Sequence, residues 1–335
     1  MPYHPVFFIL GLALLLILAF DLFITIVQGN EGPASRAAQS AIQRLLLKLH
    51  HMTGQRRFLI WSSSMLILSL VFIWITLLYG GWWLMFMADE QAIIHSSDEL
   101  PADPVERIYF TGFTISTLGV GDYVPQGHPW QFMTTLAALT GFFFVTFIIS
   151  FLVSVTQKQE LRRKLALHIH HLGKTPQDMI LQHWDKDKGR IEGTGLDVVL
   201  PDLVEFEQQH LEQPILNRFH GASQQTSAEL ALVILDETLT LAEMVVQPPL
   251  APHFQHTRNA ISNYLASQED LEADHVDPPP PPDLSALRAS DIPLHDEATI
   301  QEAYAGLAKR RRKLRALVAS TGWDWPAVVS RDERS

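Results

Sequence analysis

Three apolar runs, at residues 5–27, 58–79 and 131–155, govern what this chain can fold into. Crossing a hydrocarbon core of roughly 30 Å takes about 20 helical residues, and each run is long enough. Lipid offers no partner for a bare N–H or C=O, so a crossing segment must close its own hydrogen bonds. Three transmembrane helices follow. The first run is broken only by Asp21 and Thr25. A secretory leader is the competing reading for it, because small residues at 34–38 offer a cleavage site. Against that reading, the run exceeds the roughly 7–15 apolar residues of a leader and no positive charge precedes it. Trp82, Trp83 and Trp130 fall where an outer aromatic belt is expected.

Charge divides the chain in two. Of 335 residues 47% are hydrophobic, yet the formal net charge is -11, and after residue 164 there are 26 acidic against 15 basic residues. A membrane half followed by an acidic cytosolic half fits this pattern, and nucleic acid is not an expected partner. There is no cysteine, which excludes disulfides and thiolate metal sites. Arg36, Arg44, Lys48, Arg56 and Arg57 stand against Glu31 alone in residues 30–57, and Lys158, Arg162, Arg163 and Lys164 follow the third run. The positive-inside rule puts both stretches in the cytoplasm, with the amino terminus outside a plasma membrane crossed three times. The expected organisation is an N-terminal helix at 1–29, a basic connector at 30–57, a region of two spans with the loop between them at 58–157, a helical cytosolic domain at 158–275, and a proline-rich linker with a polybasic helix at 276–335. In the connector, Ala41, Ile42, Leu45, Leu46 and Leu49 share one helical face, suited to the membrane surface or to packing on the bundle.

Between the second and third runs the chain reads Thr114-Ile115-Ser116-Thr117-Leu118-Gly119-Val120-Gly121-Asp122-Tyr123. Asp103-Pro104 supplies an N-cap and first-turn proline for a helix ending near Ser116, too short to span and therefore re-entrant. Gly119 and Gly121 accept left-handed backbone angles. Alternating handedness can aim successive carbonyls the same way, and a column of carbonyls can replace a cation's hydration shell. A GxGD string alone is a weak signal and reads equally well as a turn. Its place between two spans favours a cavity-lining loop, because irregular backbone at membrane depth must be buried in protein or face a cavity.

Thr117 to Asp122 resembles the TVGYGD signature of potassium-channel selectivity filters, and residues 109–125 resemble the pore helix, filter and outer mouth of that family. The resemblance covers residues 58–160. It implies a re-entrant pore helix and filter between the second and third transmembrane helices; with the helical patterns of the second half, which show no recognisable regulatory domain and leave its ligand unknown, the expected fold is an all-α membrane protein with an α-helical cytosolic domain. It also implies a homotetramer, since four filter strands surround one ion, with K+ as the permeant ion and no other metal. Ion contacts fall to Thr117, Leu118, Gly119, Val120 and Gly121, with the Thr117 hydroxyl at the inner end and Asp122 at the outer mouth. Val120 stands where the family usually has tyrosine, which removes an aromatic prop and opens the alternative of a less selective cation channel. A non-conducting membrane sensor on a pore-like scaffold is a further alternative. No nucleophile elbow, phosphate loop or metal triad is visible, so an enzyme is not expected.

Other residues carry open readings. Asp21 is an acid inside a span, either functional or satisfied at the interface or by Ser62 to Ser64. Asp89, Glu90, Asp98, Glu99, Asp103 and Glu106 form either an acidic ring at the mouth or an ordinary solvated loop. Gly141 serves either as a hinge or for close helix packing. His168, His170 and His171 suit pH sensing, a metal, or simple placement at a helix carboxyl end. The stretch Asp185-Lys186-Asp187-Lys188-Gly189 fails as a calcium loop and reads as a turn. Helices are expected at 161–172, 197–210, 226–246 with a Thr226/Glu229 capping box, 253–267 and 297–319, and no stretch alternates like a strand. Residues 278–282 form a polyproline spacer. The basic cluster from Lys309 to Arg315 suits the anionic inner leaflet, the acidic bundle or another subunit.

Overall fold

The computed structural model describes residues 4–27, 32–36, 57–192, 195–212, 223–268, 271, 273 and 275–330. The chain divides into two compact units, Met1–Val155 and Thr156–Ser335. Most of the basic connector, including its apolar face from Ala41 to Leu49, lies outside the described residues, as do the side chains of Ser62 to Ser64.

In the first unit, helix α1 (Pro5–Leu22) ends in one π-helical turn, Phe23–Val27, and runs antiparallel to α2 (Arg57–Phe86). Glycine sets their crossing. A Cβ on Gly11 would stand 2.5 Å from the Gly81 carbonyl oxygen, so the two backbones touch with no side chain between them. At one end of this pair the His4 N–H donates to the Ala88 carbonyl at 2.7 Å. At the other end Asp21 is fully buried and accepts from the backbone N–H groups of Ala34 at 2.9 Å and Ser35 at 3.1 Å, from the Ser35 hydroxyl, and from the Trp74 indole at 2.8 Å. Among the described residues Ser35 and Trp74 thus satisfy Asp21, while the side chains expected to do so, Ser62 to Ser64, lie outside them. A carboxylate with its lone pairs filled in this way is a structural clasp.

Helix α3 (Pro104–Ile115) is the short helix between the spans, and α4 (Gly127–Leu172) continues unbroken for 46 residues. Three helices are long and apolar enough to cross a membrane, within Pro5–Ile26, Ile67–Phe86 and Gly127–Leu172. Strands β1 (Ile93–His95) and β2 (Tyr123–Pro125) pair antiparallel, His95 opposite Tyr123. Three residues are too few to show alternation, which is why no strand is expected from the sequence. Trp82 is a correction to the aromatic belt: it is buried, and its indole donates to the Thr140 hydroxyl at 2.9 Å.

The second unit is built around α7 (Ala228–Glu243), buried on every side from Ala228 to Ala242. The last turns of α4 pack there through Leu161, Leu165 and Ile169, with α5 (Pro176–His183), α6 (Leu196–Glu212) and α8 (Pro252–Ser267). Thr175 caps α5 by accepting from the Asp178 N–H at 3.2 Å. Strands β3 (Trp184–Asp185) and β4 (Arg190–Ile191) form a hairpin whose turn is the Asp185–Gly189 stretch, with Asp185 accepting from the N–H groups of Asp187 and Lys188 and Gly189 at φ +60°. The expected Thr226/Glu229 capping box does not form. The N-cap is Ser227, and Glu229 pairs instead with Arg162.

The C-terminal part is also a correction. The described residues of the segment expected at 276–335 are no separate module: Leu284 and Leu287 of α9 (Ser285–Ala289) and its approach, Ile300 and Tyr304 of α10 (Glu297–Gly306), Leu314 and Leu317 of α11 (Ala308–Ser320), and Val328 of α12 (Pro326–Val329) belong to the same core as α7. The single helix expected at 297–319 is two, because the chain leaves helical geometry at Leu307 (φ -88°, ψ 2°) just after Gly306. The polyproline stretch is a strap on this core, with Pro279 buried. Nor is the basic cluster one free face. Arg310 forms a two-pronged pair with Asp236, and Arg311 pairs with Glu237 while donating to the carbonyls of Pro279 at 2.8 Å and Pro280 at 3.0 Å. Two of the basic side chains offered to an anionic leaflet are therefore spent inside the bundle.

Candidate pore site

The site begins at the start of α3. Asp103 accepts from the N–H groups of Val105 and Glu106, both at 2.8 Å, and Glu106 accepts from the Asp103 N–H at 2.7 Å, a closed capping box. One turn on, Arg107 is buried and donates to four backbone carbonyls: Ala102 at 2.9 Å, Phe86 at 2.5 Å, Asp89 at 2.7 Å and Glu90 at 2.5 Å. This one guanidinium joins the end of α2, the loop after it and the foot of α3. The sequence held a signal for it, since Arg107 is the lone Lys or Arg between Arg57 and Lys158.

At its other end α3 stops at Ser116, and the chain turns. The N–H of Thr117 donates to Thr114 at 3.0 Å, and those of Leu118 and Gly119 to Phe113 at 2.9 and 3.3 Å. Thr117, Gly119 and Gly121 have φ of +58°, +60° and +88°, while Leu118 and Val120 do not enter the left-handed region. Handedness therefore alternates over residues 117–121. At the glycines this is easy. Thr117 is β-branched, and a left-handed angle there costs roughly 1–2 kcal/mol, the kind of local strain that collects at working sites. The carboxyl end of α3, with its partial negative charge, points into this turn and favours a cation near it. Leu118 is 71% and Val120 49% exposed, and a Cβ on Gly119 or Gly121 would meet no atom of this chain within 4 Å.

The chain that follows this turn is held by aromatic and acidic groups. The Asp122 carbonyl accepts from the Ser96 N–H at 2.8 Å, and the Asp122 carboxylate from the Tyr123 N–H at 3.1 Å. The Tyr123 hydroxyl donates to Glu106 at 2.6 Å, and its ring lies edge-on to Tyr109 at 6.1 Å and to His95 at 5.2 Å. The bond to the Glu106 carboxylate, with lesser help from burial and nearby acids, pushes the Tyr123 hydroxyl up to about 12. The expected ring of mouth acids is largely committed elsewhere. Asp103 and Glu106 cap α3, Asp89 accepts from Trp130 at 3.2 Å and from the Gln91 N–H, and Asp98 lies 3.1 Å from His95.

Gly141 is buried where α4 crosses the end of α3, and a Cβ there would stand 2.1 Å from the Ile115 carbonyl oxygen. That is a close-packing contact within an unbroken helix. The three histidines diverge: His168 faces Asp202 at 2.8 Å, His170 the Gln224 carbonyl at 3.1 Å, and His171 the Leu167 carbonyl at 2.6 Å.

Residues 60–158 match the family model described as "Ion channel". This segment is similar to the ion-channel family. Its boundaries enclose α2 from near its start, the capped α3, the turn at 117–121 and α4 as far as Lys158. The matched family is one of channels, not of enzymes. Over 309 residues the chain is 28% identical to the uncharacterized membrane protein YdjJ of Bacillus subtilis (strain 168), covering 90% of this chain and 89% of that one. The likeness thus extends well beyond the pore segment into the second unit. No solved structure matches the chain.

Proposed function

We propose that this ion channel is a homotetramer selective for potassium, passing K+ down its gradient between carbonyls of Thr117, Leu118, Gly119 and Val120, with Gly121 and Asp122 at the outer lip. The observation that carries this reading is the alternation of backbone handedness at Thr117, Gly119 and Gly121. Such alternation can turn successive carbonyls to one side, and a strained threonine would not persist there without a use. The exposed, uncontacted surface of residues 118–121 suits a strand whose neighbours come from other copies. Val120 lacks a ring and a hydroxyl, but the Tyr123 to Glu106 bond and the Tyr109 ring supply a tether and an aromatic prop three residues further on. The His4 contact with Ala88 places the start of α1 beside the mouth loop, which supports an external amino terminus and a cytoplasmic carboxyl terminus in the plasma membrane.

Reversal potential tests the proposal. With the purified chain in bilayers and potassium opposed by sodium, the expected value lies near the potassium equilibrium potential. A value near zero would replace potassium selectivity with general monovalent permeation, the reading that Val120 favours. Gly119→Ala should abolish flux, and flux unchanged by it would leave a pore-like scaffold only.

A further inference from the structure

The first unit contains a cavity of about 530 Å³ among α1 with its π turn, α2 and α4, lined by Leu18, Ala19, Phe23, Leu78, Phe143 and Phe144 among others. All of its walls come from the membrane-crossing helices. Thr140 supplies the one polar side chain among the described lining residues, and its hydroxyl is already engaged, accepting from Trp82 at 2.9 Å and donating to the Ala137 carbonyl at 2.9 Å. Water would find no partner there. An apolar cavity of about 150 Å³ already stays dry and takes up benzene, and this one is more than three times larger. Left empty, its walls would forgo dispersion contacts on every side.

We propose that the cavity holds one acyl chain of a phospholipid from the surrounding bilayer. Three helices of one chain wall it, so a helix of a second copy, about 10–12 Å across, does not fit where a slender chain does. Its rim runs outward onto Phe23, Phe143 and Phe147, which are 51%, 49% and 47% exposed and continue the apolar surface toward lipid. Among the described residues the lining carries no basic group to hold a carboxylate, which favours a tail whose polar head stays at the membrane surface over a free fatty acid. A seated chain bears on Phe143 and Phe144, beside Gly141, the residue that touches the end of α3. Lipid thereby gains a contact one helix away from residues 117–121. The inference does not depend on which ion permeates.

Photo-crosslinking tests it. Leu18 is 4% exposed and Leu16 61% exposed. The full chain carrying photo-leucine in place of Leu18 is placed in phosphatidylcholine vesicles doped with oleic acid, irradiated, and analysed by intact and peptide mass. The expected product is an adduct of intact phosphatidylcholine at position 18. An oleate adduct alone, a product joining two copies, or insertion within the chain alone would each overturn the proposal. Ala19→Phe fills the cavity and should remove the adduct at position 18, while photo-leucine at position 16 of the same variant still captures phosphatidylcholine. Retention of the adduct at position 18 in that variant would place the lipid outside the cavity and likewise overturn it.

Discussion

Gly141→Ala sets two opposed effects against each other at the contact between α4 and the end of α3. The added Cβ would stand 2.1 Å from the carbonyl oxygen of Ile115, 2.8 Å from its carbon and 2.9 Å from its Cα, all backbone atoms that cannot rotate away. Ordinary contact begins near 3.4 Å, so the helices must part by about 1.3 Å at this level. Removing glycine from a helix interior is worth roughly 1 kcal/mol in favour of the variant. Overpacking a tight site costs about 1–3 kcal/mol, and a clash with backbone belongs at the upper end. The net expectation is destabilisation by about 1 kcal/mol or more, or roughly 2–4 °C in melting temperature per kcal/mol if the scale of soluble chains of this size carries over. Ile115 precedes Thr117 by two residues, so the displacement should also disturb the turn at 117–121. The assay is thermal unfolding of the purified chain in detergent, paired with reversal potential in bilayers. A hinge glycine predicts the opposite sign: a stiffer α4, a higher melting temperature and an unchanged reversal potential. That outcome would refute the packing argument.

Three further substitutions probe the groups around the site and in the second unit. Arg107→Lys leaves three donors on a compact head where four separate carbonyls now accept, so at least one buried carbonyl loses its partner at about 1–3 kcal/mol. Faster amide exchange confined to the loop after α2 and the foot of α3 would show it, and unchanged exchange would contradict the clamp. Arg162→Met should destabilise the second unit by about 3–5 kcal/mol by leaving Glu229 buried and unpaired, and adding Glu229→Leu should recover most of the loss; a denaturant-based double-mutant cycle with no coupling would count against the pair. The raised Tyr123 hydroxyl implies a pH dependence. Because the folded form holds its proton up to about 12 rather than the ordinary 10.0, its contribution to the folded mouth is complete below pH 10 and is lost as pH rises through 12. In Glu106→Gln the tyrosinate absorbance step assigned to Tyr123 should move down toward 10. A step that stays near 12 would mean that another group sets it.

The membrane half was legible because its constraints are local. A run of about 20 apolar residues, an Asp-Pro at a helix start and glycines two apart are each properties of a short window, and α1, α2, α3, α4 and the turn at 117–121 follow from them. What escaped there were long-range contacts made by residues of ordinary local meaning. Trp82 looks like any interfacial tryptophan until Thr140, 58 positions away, accepts its N–H. Asp21 looks unpaired until Trp74, 53 positions away, closes on it. A left-handed threonine at 117 is invisible to propensity, because the turn imposes the angle against the residue's preference.

The second unit was less legible for the same reason, at greater range. Helix α7 carries Glu229, Asp236 and Glu237 inside a core, where periodicity would assign acids to a solvated face. Their arginine partners, Arg162, Arg310 and Arg311, lie 67, 74 and 74 residues away. An acidic helix at one place and a basic cluster at another therefore read as two surfaces, when they are two halves of one buried set of pairs. Such pairs are costly to break and contribute little against an apolar substitute, so their value here is better sought in register. The consecutive Arg310 and Arg311 meet the consecutive Asp236 and Glu237, so sliding α11 along α7 would break both pairs at once. This selects one packing of the C-terminal helices from the several that leucine and alanine faces alone would permit. It also explains why the polyproline stretch lies on the core as a strap: Arg311, once fixed by Glu237, turns two further N–H groups to the Pro279 and Pro280 carbonyls.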